Sequence, residues 1–232
     1  MGMRSLAALL IGLFALAATP LAAQEIFYEE ISYEVVEMDG AHQASGSERY
    51  VESRPAPLPA GIASYGPFRV LDGSRAALVD VTDGRSLSAF RALLRDHPGI
   101  GILEMIDCPG TEDDLANLQI GRIIRQRGIV THVPAGGSVR SGAVELFLAG
   151  ARRFADPGSE FAVHAWMDHD GLQATDYSLS APENARYLAY YRQMGMSSDE
   201  AAAFYAMTNS VPFEQAKWLD SAEMSRWVRL DS

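Results

Sequence analysis

From Arg75 onward the chain alternates short apolar runs with segments of helical spacing, and that alternation constrains the fold more than any other feature. RAALVDVTDG, from Arg75, is a continuous apolar run ending in a turn, the pattern of a buried strand. Ser86 to Leu94 follows with helical spacing and a serine available as cap. Gly99 to Ile106 reads as a second strand, and Asp113 to Gln126 as an amphipathic helix closed by Gly128. Ile129 to Val133 gives a third strand and Ser141 to Gly150 a third helix. Strand, helix, strand, helix at this spacing requires right-handed crossovers and a parallel sheet. Two short strand-like segments then lead to His164, and Glu183 to Met194, Ser198 to Met207 and Phe213 to Leu219 read as helices. The fold class is α/β with a helical C-terminal part.

Residues before this pattern divide in two. Arg4 followed by the apolar run Leu6 to Ala18, a break at Thr19-Pro20 and small residues Ala22-Ala23 reads as a signal peptide over 1–23, which implies export to the periplasm. The run is short for a bilayer span, and no later segment is long and apolar enough to cross a membrane. Residues 24–71 read as an N-terminal strand (EIFYEEISYEVVEM) and a Pro- and Gly-rich linker, which leaves 72–232 as the α/β domain. A formal charge of −11 without a basic stripe excludes a nucleic-acid partner. The single cysteine, Cys108, rules out an internal disulfide, and its neighbours Asp107, Glu112 and Asp113 disfavour a thiolate, so its reading is structural.

Chemistry is concentrated between Ala135 and Ala165. Small residues deliver Ser141 to a helix start, where it is exposed near backbone N–H groups, and His164 lies 23 residues on. A serine nucleophile requires a base, most often histidine, and donors for the developing oxyanion. The N–H of Gly142 and the turn Pro109-Gly110-Thr111 are the candidate donors. Two plainer readings stand beside this one: Ser141 as a helix N-cap and His164 as a core histidine. The segment lacks G-x-S-x-G, because Val139 and Ala143 flank the serine. His164, Asp168, His169 and Asp170 do not read as a metal site, since side chains at a strand end diverge.

Asp107-Cys108-Pro109-Gly110-Thr111, Arg140-Ser141-Gly142-Ala143, Phe147-Leu148-Ala149-Gly150, Arg152-Arg153-Phe154, Val163-His164 and Trp218-Leu219-Asp220-Ser221-Ala222-Glu223 occur in an order and spacing that resemble the Clp protease proteolytic subunit (ClpP) family, and within it small exported bacterial relatives. The resemblance covers about 72 to 230. It implies a ClpP/crotonase-like fold of repeated strand–strand–helix units, with Ser141 as nucleophile, His164 as general base, and Gly110 or Thr111 together with Gly142 as oxyanion donors. Thr111 stands where the family has a second glycine. At the register of the family's acid the chain shows Glu214-Gln215-Ala216-Lys217-Trp218, so Glu214 is the nearest carboxylate, either turned inward as the acid or solvated on its helix.

The expectation is a periplasmic serine hydrolase, a peptidase acting through a Ser141/His164 acyl-enzyme on a peptide or protein substrate, with no cofactor and no metal. The alternative is a catalytically degenerate relative that binds a peptide or protein partner in the same cleft. Acyl-thioester chemistry on the related crotonase-type fold is a third class, disfavoured by export. The resemblance also carries an expectation of homo-oligomers.

Overall fold

A computed structural model of the chain describes residues 49, 50 and 57–232. The signal segment 1–23 and the strand read at 25–38 lie outside the described residues. The strands are β1 (Arg49–Tyr50), β2 (Ala63–Tyr65), β3 (Phe68–Val70), β4 (Arg75–Leu78), β5 (Ile102–Met105), β6 (Asp107–Cys108), β7 (Gly110–Thr111), β8 (Val130–Val133), β9 (Ser138–Arg140), β10 (Arg153–Ala155), β11 (Glu160–Val163) and β12 (Lys217–Asp220). The helices are α1 (Ser86–Asp96), α2 (Asp114–Gln126), α3 (Ala143–Leu148), α4 (Pro182–Gln193), α5 (Ser198–Thr208) and α6 (Ser221–Met224).

Beside a two-stranded pairing of β1 with β7, two larger sheets share the work. The larger runs β10-β8-β5-β4-β3-β2, with β10, β8, β5 and β4 parallel and β3 and β2 antiparallel at one edge. The smaller runs β12-β11-β9-β6, with β11, β9 and β6 parallel and β12 antiparallel. Each strand–strand–helix unit places its first strand (β5, β8) in the large sheet and its second (β6, β9) in the small one, before α2 or α3 covers them. β10 and β11 repeat the division. This is the mixed α/β architecture of strand–strand–helix units expected from the resemblance.

The core lies between the sheets and helices. Phe68 packs on Phe90 and Phe147 on Phe161, each pair with ring centroids 4.9 Å apart. α1 buries Phe90, Leu93 and Leu94, and α2 buries Leu118, Ile120 and Ile124, as their spacing requires. The α2 N-terminus is capped by Asp113, whose carboxylate accepts from the Ala116 N–H. The tyrosines of α4 face inward: Tyr190 donates to the Glu145 carbonyl at 2.7 Å and Tyr191 to the Glu145 carboxylate at 2.9 Å, which fixes α3.

Arg49–Tyr50, within the stretch read as linker, is β1, and Ser138–Arg140, within the turn read before Ser141, is β9; two further segments differ from the sequence reading. Ala63–Tyr65 and Phe68–Val70, within the stretch read as linker, form a hairpin that extends the large sheet, because Phe68 and Val70 alternate into the core. Phe213 to Leu219 is a turn followed by β12, not a helix, because Lys217–Asp220 pairs antiparallel with β11. Among the described residues, no helix is long and apolar enough to cross a membrane.

Candidate active site

Parallel strands β6, β9 and β11 run the same way, so the residues that follow them gather at one end of the small sheet. These are Pro109 to Thr111, Ser141 with Gly142, and His164. Ser141 is one residue beyond β9, and its N–H donates to the Ala162 carbonyl at 2.7 Å, which extends the β9–β11 ladder to the serine itself. His164 follows β11 directly, on the neighbouring strand.

Ser141 turns the chain sharply. Its φ is +50°, the only positive value at a non-glycine among the described residues. A side chain in this region costs on the order of 1–3 kcal/mol, and such strain clusters where a residue must be displayed at a strand-to-helix turn. The serine carbonyl accepts from the Val144 N–H at 3.0 Å, so α3 begins immediately. Ser141 and His164 are both fully buried, and Ser141 Oγ makes no hydrogen bond among the described residues.

The two oxyanion candidates meet. A Cβ built on Gly142 would lie 2.4 Å from Thr111 Cγ2 and 3.3 Å from Thr111 N, so only glycine fits against this turn. Gly110, at φ +137°, provides a backbone conformation that side chains rarely adopt. A buried relay ties the turn to the serine loop. The Thr82 N–H donates to the Gly110 carbonyl at 3.1 Å, and the Thr82 hydroxyl lies 3.0 Å from Asn117 Oδ1 and 3.3 Å from the Gly110 carbonyl. Asn117 Nδ2 donates to the Gly142 carbonyl at 2.6 Å, and the Thr111 hydroxyl donates to the Thr82 carbonyl at 3.2 Å. Thr82, Thr111 and Asn117 are fully buried. Neither Thr82 nor Asn117 was singled out from sequence. The available signal was Asn117, a polar residue on the apolar face of α2.

Behind the serine, the fully buried Arg140 pairs with Asp107 at the start of β6. Taking two charges out of water is costly unless they meet, and meeting holds β9 to β6 one residue before the strained serine. Cys108 is also fully buried, its thiol against the Leu78 carbonyl, and burial pushes its pKa well up, with the Arg140 charge working weakly in the other direction. That thiol is no nucleophile.

His164 Nδ1 lies 2.9 Å from the Ala165 carbonyl oxygen. A carbonyl only accepts, so this contact places the proton on Nδ1 and the lone pair on Nε2, the tautomer a general base needs. Phe213 stands beside the ring, centroids 5.1 Å apart. Glu214, its chain neighbour, lies on an exposed turn in which the Gln215 N–H donates to the Pro212 carbonyl at 3.0 Å. A backbone carbonyl thus contacts Nδ1, a feature without a sequence signature.

A cleft of about 600 Å³ adjoins the oxyanion turn through Glu112 and is lined also by Asp80, Asp83, Arg85 and Ser86. Neither Ser141 nor His164 lines it. Among the described residues, no group of His, Cys, Asp and Glu side chains is placed to hold a metal ion.

No family model and no curated protein matches the chain. Among solved structures the chain is similar in fold to a ClpP1 mutant from Listeria monocytogenes, at 15% identity and a TM-score of 0.49, over 67% of this chain and 88% of that one. It is also similar to a membrane-bound stomatin-specific protease, 1510-N, a mutant in complex with a substrate peptide, at 16% identity and a TM-score of 0.43, over 66% and 74% of the two chains.

Proposed function

We propose that the protein is a serine hydrolase of the peptidase type, with Ser141 as nucleophile and His164 as general base. The observation that carries this reading is the strained Ser141 backbone at the carboxyl end of β9, with Gly142 pressed against Thr111 beside it. In the reaction, His164 Nε2 takes the Ser141 proton as Oγ attacks the scissile carbonyl carbon. Oxyanion charge is met by the N–H groups of Thr111 and Gly142, in a turn shaped by Gly110. The imidazolium then gives its proton to the leaving amine, and water resolves the acyl-enzyme by the same steps in reverse order. The Ala165 carbonyl accepts from Nδ1 and so helps to orient the ring, with Nε2 turned to proton transfer. Glu214 takes no part in this scheme. Residues 1–23 support the further reading that the protein works after export.

A second reading has its own support. Ser141 Oγ makes no hydrogen bond among the described residues and both residues are buried, as expected of a degenerate relative that binds a peptide without cutting it. A fluorophosphonate probe separates the two. The hydrolase reading requires covalent labelling of the native protein that disappears in Ser141→Ala. Unlabelled, well-folded protein that still binds peptides establishes the second reading.

A further inference from the structure

The oxyanion strand β7 has two edges, and both are taken. On one edge, the Thr82 N–H donates to the Gly110 carbonyl at 3.1 Å and the Glu112 N–H to the Thr82 carbonyl at 2.7 Å, a parallel bridge between Thr82 and Thr111. On the other edge lies the chain's own β1, antiparallel, with Arg49 opposite Thr111 and Tyr50 opposite Gly110. Backbone groups alternate along a strand. Since the Gly110 carbonyl and the Glu112 N–H both point at Thr82, the Thr111 N–H and C=O point the other way, at Arg49. Arg49 and Thr111 are therefore the hydrogen-bonded pair of this ladder, and Tyr50 and Gly110 the non-bonded pair.

That assignment sets up a competition. Thr111 N is the atom beside Gly142, 3.3 Å from where a Cβ on Gly142 would stand, and it is one of the two donors in the hydrolase reading. Its single N–H serves one acceptor well. With the Arg49 carbonyl on it, the N–H is withheld from an oxyanion. The Thr111 edge is likewise withheld from an extended peptide, which would add there by the same main-chain bonds. Ser141 and His164, both without exposure, are in keeping with a covered site.

We propose that the Arg49–Tyr50 strand is an intramolecular pseudo-substrate: it occupies the substrate edge of β7 and keeps the hydrolase closed. This rests on the hydrolase reading for its consequence, but not for its geometry. The ligand that this edge accepts is an extended polypeptide backbone in antiparallel register. Because only a few residues of chain join Tyr50 to Pro57, the tethered strand acts at an effective concentration in the millimolar range or above. A peptide in trans displaces it poorly, and release comes from removing or unpairing the segment.

The test uses the full chain and two proline variants. Arg49→Pro deletes the N–H that pairs with the Thr111 carbonyl, whereas Tyr50→Pro deletes one that points away from β7 and holds residue 49 extended. Amide exchange at Thr111, followed by NMR, is expected to quicken at least tenfold in Arg49→Pro and to change little in Tyr50→Pro. Fluorophosphonate labelling of Ser141 is expected to rise about tenfold in Arg49→Pro alone. A synthetic peptide of residues 45–54, added at millimolar concentration to Arg49→Pro, is expected to restore both values. Unchanged Thr111 exchange in Arg49→Pro overturns the proposal. Faster exchange with labelling at the parent rate overturns the closure while leaving the hydrolase intact. Faster exchange with no labelling of either chain overturns the hydrolase reading instead and supports a strand seated on that edge.

Discussion

The Phe213 ring meets the His164 imidazole nearly at right angles, with 70° between planes and 5.1 Å between centroids. The contact comes from an excursion of the chain. β12 pairs with β11 in register from Glu160 opposite Asp220 to Val163 opposite Lys217, yet the Ala165 N–H then bonds to the Val211 carbonyl at 2.9 Å. Residues 212–216 are looped out between these two pairings. That loop sets Phe213 on the imidazole and leaves Glu214 outside.

Phe213→Ala is expected to slow fluorophosphonate labelling of Ser141 about tenfold, equivalent to ~1.4 kcal/mol of lost orientation. Glu214→Gln is expected to leave it within about twofold, since loss of a true triad acid costs about 10,000-fold. A large loss in Glu214→Gln would restore the carboxylate to the mechanism.

Gly142→Ala puts a methyl into the Thr111 side chain with Thr111 backbone behind it. Overpacking of this kind costs about 1–3 kcal/mol, read as a lowered urea midpoint. Thr111→Ser removes the atom in closest conflict, so the double variant is expected to recover part of the loss, with a coupling energy of about 0.5 kcal/mol or more. Strictly additive variants would place the two residues apart.

Thr82→Val keeps the shape of the side chain and removes its hydroxyl, leaving Asn117 Oδ1 without that donor in a fully buried setting. The expected loss is about 1–3 kcal/mol of stability. Asn117→Leu frees the Gly142 carbonyl of its 2.6 Å partner and is expected to lower Ser141 labelling as well as stability.

The strand–helix order from β4 to α3 was legible because each element carries its own period, and the position of Ser141 and His164 at neighbouring strand ends follows from that order. Other parts had no such signal. Seven residues from Phe213 to Leu219 are too few to separate a helical period from an alternating one, and pairing with β11 decided the matter. The hairpin at Ala63 to Val70 was masked by surrounding glycine and proline. Thr82 and Asn117 act through backbone carbonyls, and the Ala165 carbonyl on His164 belongs to no side chain at all. Sequence patterns register side chains, so contacts made by the main chain escaped them.

Burial raises the Cys108 pKa in the folded state, while an unfolded cysteine titrates near pH 8.5. The folded chain therefore holds a proton that the unfolded chain releases, and the associated stability is complete below about pH 8.5 and lost as pH rises. The expected slope is about −1.4 kcal/mol per pH unit above that point. Urea unfolding at pH 8 and pH 10 measures it, and Cys108→Ala should remove that share of the slope. Native Cys108 should resist alkylation at pH 8 and react on unfolding.

Three successive units each supply one loop to the same end of the small sheet, and no single unit holds the whole of the proposed machinery. Nucleophile, base and oxyanion turn come into register only after β6, β9 and β11 have stacked in order. A chain caught partway through folding, or one whose last unit has peeled away, carries every residue of the site and none of its geometry. On the proposed hydrolase reading, Ser141 labelling would then report completed assembly of the sheet, and a half-made molecule would pass its neighbours unreactive.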